Sequence, residues 1–171
     1  MLHVLKQIAR GGSKTERPPE PGAAQVGMDR LQQDILRTLG RALAIRHVDA
    51  GSCNACELEL HALVNPYYNI EGLGIRFVAS PRHADMLLVT GPVTTHMLIA
   101  LQRTYDAVPA PKLVVAAGAC ACNGGIYGES YATIGGLRNV LPVDVEIDGC
   151  PPTPTMLLQG ILAAVRGRSA R

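Results

Sequence analysis

The pentapeptide MLLVT, Met86 to Thr90, is apolar at four consecutive positions and closes on a β-branched residue. A strand with one face in water alternates apolar and polar residues, whereas a strand covered on both faces does not. Five residues are too few for a buried helix, so the run reads as an interior strand of a parallel sheet. Short runs of related character lie on either side: AIRHV (Ala44 to Val48), IRFVA (Ile75 to Ala79), KLVVAA (Lys112 to Ala117) and VDVEI (Val143 to Ile147). Helical stretches fall between them, one from about Cys56 to Val64, stopped by Pro66, and one from about Thr94 to Tyr105. Thr153 followed by Pro154 marks the start of a last helix running to about Val165. Strands alternating with helices predict the α/β class, here a flavodoxin-like doubly wound parallel sheet.

The chain has 171 residues, of which 47% are hydrophobic and 18% charged, enough apolar material for one packed domain. With no Trp, one Phe and five Tyr it lacks the aromatic platform on which single strands of nucleic acid stack. A net charge of +2 is also small for a nucleic-acid binder, and no nucleic-acid partner is expected. The charge is uneven: +4 over Met1 to Arg46, −5 over His47 to Val165, and three arginines in the last six residues. Residues 1–27 read as a flexible extension whose Gly11 to Gly27 part is a Gly/Pro-rich linker, 28–165 as a single domain, and 166–171 as a basic, solvated tail. Within the domain, Leu31, Ile35, Leu39 and Leu43 recur at four-residue spacing, which predicts a helix over Asp29 to Leu43. Neither a secretory apolar core nor a run of membrane-spanning length is visible, so a cytoplasmic protein is expected.

Five cysteines in such a chain suggest metal or redox chemistry before structural disulfides. Cys53 and Cys56 follow the first strand, Cys120 and Cys122 the fourth, and Cys150 the fifth. All lie just past carboxyl ends of strands, the edge where open α/β sheets bind ligands. Glycine sits close before each turn's cysteine, at Gly51, Gly118 and Gly149, where a bare backbone lets peptide N–H groups approach sulfur. Pro151 follows Cys150, an order also found in bacterial ferredoxins. Four thiolates in one pocket suit an iron–sulfur cube. The competing readings are a lone redox dithiol, a four-cysteine zinc site and buried inert cysteine. Cys53, Cys56 and Cys150 have no local substitute; Cys120 directly follows the Gly118-Ala119 turn and is favoured as fourth ligand, with Cys122 a spare thiol nearby.

Four stretches, GSCNACELEL (Gly51 to Leu60), SPRHADMLLVTGPVT (Ser80 to Thr94), GACACNGG (Gly118 to Gly125) and PVDVEIDGCPPTP (Pro142 to Pro154), together resemble the small subunit of energy-converting membrane-bound [NiFe]-hydrogenases, of the formate hydrogenlyase type. The 20 kDa subunit of respiratory complex I belongs to the same superfamily. The resemblance implies one [4Fe–4S] cluster held by Cys53, Cys56, Cys120 and Cys150. It implies as partners a [NiFe]-hydrogenase-like large subunit, a ferredoxin-like iron–sulfur subunit and, indirectly, membrane subunits. The chain would then relay electrons in a cytoplasm-facing oxidoreductase complex, peripheral to the inner membrane and without a catalytic residue of its own. Complex I subunits carry two adjacent cysteines in the first motif; here two residues separate Cys53 from Cys56, as in hydrogenases. A complex I-like quinone-linked module is the runner-up, and a zinc-stabilised docking scaffold the reading from another class.

Glu57 and Glu59 begin a helix, where carboxylates favour the dipole; capping is the main reading and proton transfer to a partner the minority one, for which Glu59, matching an acid common in the family motif, ranks above Glu57. Arg82 and His83 fall at the opposite end of the sheet and read as structural. Asp85 reads as a strand-start hydrogen bonder, and Thr94 and Thr95 as helix caps.

Overall fold

The computed structural model describes residues 40–169, with Lys6, Gln33, Leu36 and Arg37 as isolated positions before them. The N-terminal extension, its linker and most of the helix expected over Asp29 to Leu43 lie outside the described residues. Five strands, β1 (Leu43–Asp49), β2 (Ile75–Phe77), β3 (Met86–Thr90), β4 (Leu113–Ala117) and β5 (Val145–Ile147), form one sheet in the order β2-β1-β3-β4-β5. Every pairing is parallel, which makes this the α/β fold and strand order of a doubly wound sheet.

The burial of β3 explains its composition. Met86 and Leu88 point into one core with Leu43, Ile45, Leu113 and Val115, while Leu87 and Val89 point into the other with Val114 and Ala116. Helices α1 (Ala55–Ala62) and α4 (Pro154–Ser169) cover the first face through Leu60, Leu63, Leu157 and Ile161. Helices α2 (Leu98–Ala107) and α3 (Ala119–Asn123) cover the second through Leu101 and Ala121. A strand sandwiched in this way has no solvent side, so its residues are apolar up to Thr90, whose buried hydroxyl is bonded to His47 at 2.8 Å.

Several boundaries differ from the sequence reading. Leu43 is fully buried at the start of β1 rather than at the end of a helix. Gly40 lies between, with φ +65° and its N–H on the Leu36 carbonyl at 2.8 Å, the left-handed turn that ends helical stretches. The Leu43 N–H then goes to Gly74 at 2.8 Å, across the sheet. Helix α2 begins at Leu98, four residues after Thr94, because Thr94 pairs with Thr133 in an antiparallel bridge. Thr153 does cap α4, accepting the Met156 N–H at 3.3 Å, but that helix continues past Val165 to Ser169. No helix among the described residues is long and apolar enough to cross a membrane.

Candidate metal centre

Three turns at the carboxyl edge carry the cysteines, and all five are free thiols. In the β1–α1 turn, one oxygen of Asp49 accepts both the Gly51 and the Ser52 N–H at 2.7 Å, fixing the backbone just before Cys53. This turn packs tightly on the one after β3. A β-carbon on Gly91, whose φ is +75°, would lie 2.6 Å from the Ser52 nitrogen. Cys53 is exposed at the rim, while Cys56, in the first turn of α1, is buried.

The β4–α3 turn meets the first turn through a glycine. Gly118 has φ +94°, and a β-carbon there would lie 2.6 Å from Cys56 Sγ. Gly125 makes the same room for the next cysteine, since its β-carbon would fall 2.7 Å from Cys120 Sγ. Backbone bonds join this turn to the one after β5, from Gly118 N–H to Ile147 at 2.7 Å and from Ala119 N–H to Gly149 at 2.8 Å. Cys150 stands exposed just beyond Gly149, whose own N–H is held by Asp148 at 2.9 Å.

The electrostatics separate the cysteines into two groups. The Cys56 thiol is pushed up to about 12, first by burial, then by the charges of Glu57, Cys120, Cys53 and Cys150. Burial also raises Cys120, followed by Cys150 and Cys53, against the lowering effect of the Ile126 N–H on its sulfur. Thiols such as Cys56 and Cys120, held protonated by burial and by neighbouring sulfurs, are donors whose ionisation a bound cation would favour. Cys122 belongs elsewhere. Its sulfur lies 3.6 Å from the Ile147 carbonyl and 3.8 Å from that of Ala116, and burial, then Glu146 and Asp148, push it up to about 11.

Among the described residues no three His, Cys, Asp or Glu side chains close on one point as they would around a single ion. A zinc site needs four donors about 2.0–2.3 Å from one metal. A cube instead presents an iron at each of four corners and takes one thiolate on each, so its thiolates stand further apart than around a single ion. At Gly118 and Gly125 the missing β-carbon leaves room for the sulfurs of Cys56 and Cys120.

The other candidates sort as follows. Glu57 is buried at 6% exposure with both carboxylate oxygens lacking a hydrogen-bond partner, whereas Glu59, which ranks above it in the sequence, is half-exposed. Thr94 is no helix cap: its hydroxyl donates to the Ala50 carbonyl at 3.0 Å, and that of Thr95 to Ala132 at 3.4 Å. Arg82 and His83 are exposed in a 3₁₀ turn at the amino end of the sheet. Asp85 accepts the Ala44 N–H at 3.0 Å and pairs with Arg41, a strand-start anchor as expected. His47 is a residue that sequence reasoning misses. It projects from β1 with Nε2 2.8 Å from the Thr90 hydroxyl and 3.9 Å from Glu57, and burial lowers its pKa against the raising effect of Glu57 and Asp49. The one signal for it is the polar pair Arg46-His47 inside a strand run.

Comparison with known proteins agrees with this architecture. The chain is 44% identical over 131 residues to a probable membrane-bound hydrogenase subunit, mbhJ, of Pyrococcus furiosus, covering 77% of this chain and 78% of that one. It is 40% identical over 147 residues to formate hydrogenlyase subunit 7 of Escherichia coli, covering 86% of this chain and 58% of the relative. It is 45% identical over 107 residues to an NADH-quinone oxidoreductase subunit of Geobacter metallireducens, covering 63% of this chain and 62% of that one. Among solved structures, an archaeal membrane-bound sulfane sulfur reductase superposes with TM-score 0.68 at 35% identity, covering 82% of this chain and 76% of that chain. An NAD+-reducing [NiFe]-hydrogenase shares the fold, with TM-score 0.57 at 19% identity over 75% of this chain and 93% of that one. By class, then, the chain is a subunit of an oxidoreductase complex. Residues 53–164 match the family described as NADH ubiquinone oxidoreductase, 20 Kd subunit, and the chain belongs to that family.

Proposed function

We propose that the chain is the electron-relay subunit of a membrane-bound hydrogenase complex, with Cys53, Cys56, Cys120 and Cys150 as the ligands of one [4Fe–4S] cluster. The observation that carries this reading is the convergence of three turns in which Cys56 and Cys120 sit against Gly118 and Gly125 and feel the charges of Cys53 and Cys150. Such a cluster supplies reversible one-electron chemistry. The chain's own part is to hold four thiolates, to donate the Ile126 N–H toward the Cys120 sulfur, and to keep Cys56 out of water. N–H···S bonds and burial are the levers by which a protein sets a cluster's potential. After four ligands only Cys122 remains, so the cysteines of a nickel–iron centre must come from a hydrogenase-like large subunit. A ferredoxin-like subunit would exchange electrons on the other side. Attachment to the membrane, on its cytoplasmic face, would run through partner subunits, in line with the membrane-bound relatives.

The likeness to the NADH-quinone oxidoreductase relative favours a second reading, a quinone-linked module. The two residues between Cys53 and Cys56 weigh toward the hydrogenase. The partner's sequence separates them, because two C-x-x-C motifs in the large subunit indicate nickel. Anaerobic reconstitution with iron and sulfide tests the cluster itself: about four irons and four sulfides per chain are expected, with a brown colour. Stoichiometric zinc in their place, with no iron retained, would overturn the reading.

A further inference from the structure

A cavity of about 470 Å³ is lined among others by Arg46, His47, Glu57, His61 and Val64. Glu57, Leu60, His61 and Val64 are spaced i, i+3, i+4 and i+7 along α1 and its exit, so one helix face forms a wall of it. Glu57, 6% exposed, lines this cavity with a buried carboxylate that has no hydrogen-bond donor on either oxygen. The nearest cationic candidate, His47 Nε2, is 3.9 Å away and is engaged by Thr90 at 2.8 Å. That distance is too long for a hydrogen bond. Arg46 does not supply the missing donor either, since its own Nε is buried without an acceptor. Native interiors leave few polar groups in this condition, because burial without a partner forfeits hydration and returns nothing.

We infer that this cavity receives an Arg or Lys side chain of the large partner subunit, with Glu57 as its counter-charge. The inference rests on the reading above that such a subunit binds this chain. The two orphans together select the occupant. An acceptor-only ligand such as a quinone carbonyl would satisfy Arg46 and leave the carboxylate bare. A simple cation would do the reverse. A cationic side chain arriving with its main-chain carbonyls meets both, and the half-exposed Val64 at the mouth gives it an apolar rim.

The test uses the cluster-loaded chain and the large subunit of its own complex, with Glu57→Gln and Glu57→Leu beside the wild type. Iron content, the urea midpoint of the chain alone and the dissociation constant of the pair are measured for each. A carboxylate waiting for a partner gives a split result. Glu57→Leu leaves the lone chain at least as resistant to urea, while both variants weaken association tenfold or more at unchanged iron content. Association within twofold of wild type overturns the inference and leaves the proposed function standing. So does a Glu57→Leu chain that is destabilised alone, which would mean the carboxylate is satisfied by water or within the chain. A wild-type chain that does not bind the large subunit at all overturns both.

Discussion

Gly118 and Cys56 meet so closely that a β-carbon on the glycine would stand 2.6 Å from the sulfur. The two belong to different turns, 62 positions apart in the chain. Their contact is therefore a measure of how the β4–α3 turn seats against the first turn of α1.

Replacing Gly118 by Ala tests that seat. The backbone there has φ +94°, which a side chain strains in addition to the collision. We expect a loss of about 1–3 kcal/mol in the urea unfolding of the metal-free chain, and retained iron reduced by more than half. Wild-type iron content in this variant would show that the sulfur can sit elsewhere.

The division of the cysteines gives a second expectation. Cys53→Ser removes a rim thiol and should abolish the cluster's absorption and its signal on reduction. Cys122→Ser alters a sulfur lodged near the Ala116 and Ile147 carbonyls and should keep most of the iron. Iron analysis that ranks the two variants the other way would overturn this choice of ligands.

In the metal-free chain, Cys56 is pushed up to about 12 from an ordinary 9.0. The unfolded chain therefore releases this proton first. Stability from this source is complete below about pH 9 and declines as pH rises toward 12. Urea titrations on either side of pH 9 should show this alkaline loss, and Cys56→Ser should flatten it.

His47 acts at the other end of the scale. Burial lowers it below 6.5, so the folded state holds the ring neutral while the unfolded chain takes up a proton. Its contribution is present above 6.5 and is lost as pH falls through the lowered value, with a slope of at most about 1.4 kcal/mol per pH unit. A His47→Asn variant should show a shallower loss between neutral and mildly acid pH by the same measurement.

Asp49 provides a fifth test. Asp49→Ala removes the acceptor of two N–H groups at 2.7 Å, at a cost of roughly 1–2 kcal/mol to the folded chain. The β1–α1 turn should loosen, and cluster loss on dilution should speed up. Asp49→Asn keeps an acceptor and should behave closer to wild type.

How much of this is legible in the sequence depends on the range of the forces involved. MLLVT can be read to the residue because two-sided burial leaves its mark in the strand itself. The shared edge of the cysteines is legible for a similar reason, each following a strand and a glycine. Leu43 misleads because its four-residue spacing continues a helical pattern across Gly40, and only the fold reveals that its N–H belongs to Gly74. The Thr94 hydroxyl looks like a cap locally, yet its acceptor, Ala50, lies 44 positions earlier. Glu57 and Glu59 are alike to a dipole argument. What distinguishes them is the docking of α1 beside His47, a tertiary fact with no local trace.

The backbone bonds between turns have a consequence for how this edge can change. Thr94 N–H reaches Ala50 at 3.0 Å, Val93 N–H reaches Gly135 at 3.0 Å, and Ala119 N–H reaches Gly149 at 2.8 Å, so each turn is latched to a neighbour. A single residue inserted in one of them would have to propagate through the next. Length variation in this lineage should accordingly gather away from these turns, and engineered grafts at the edge should succeed only when exchanged as a set.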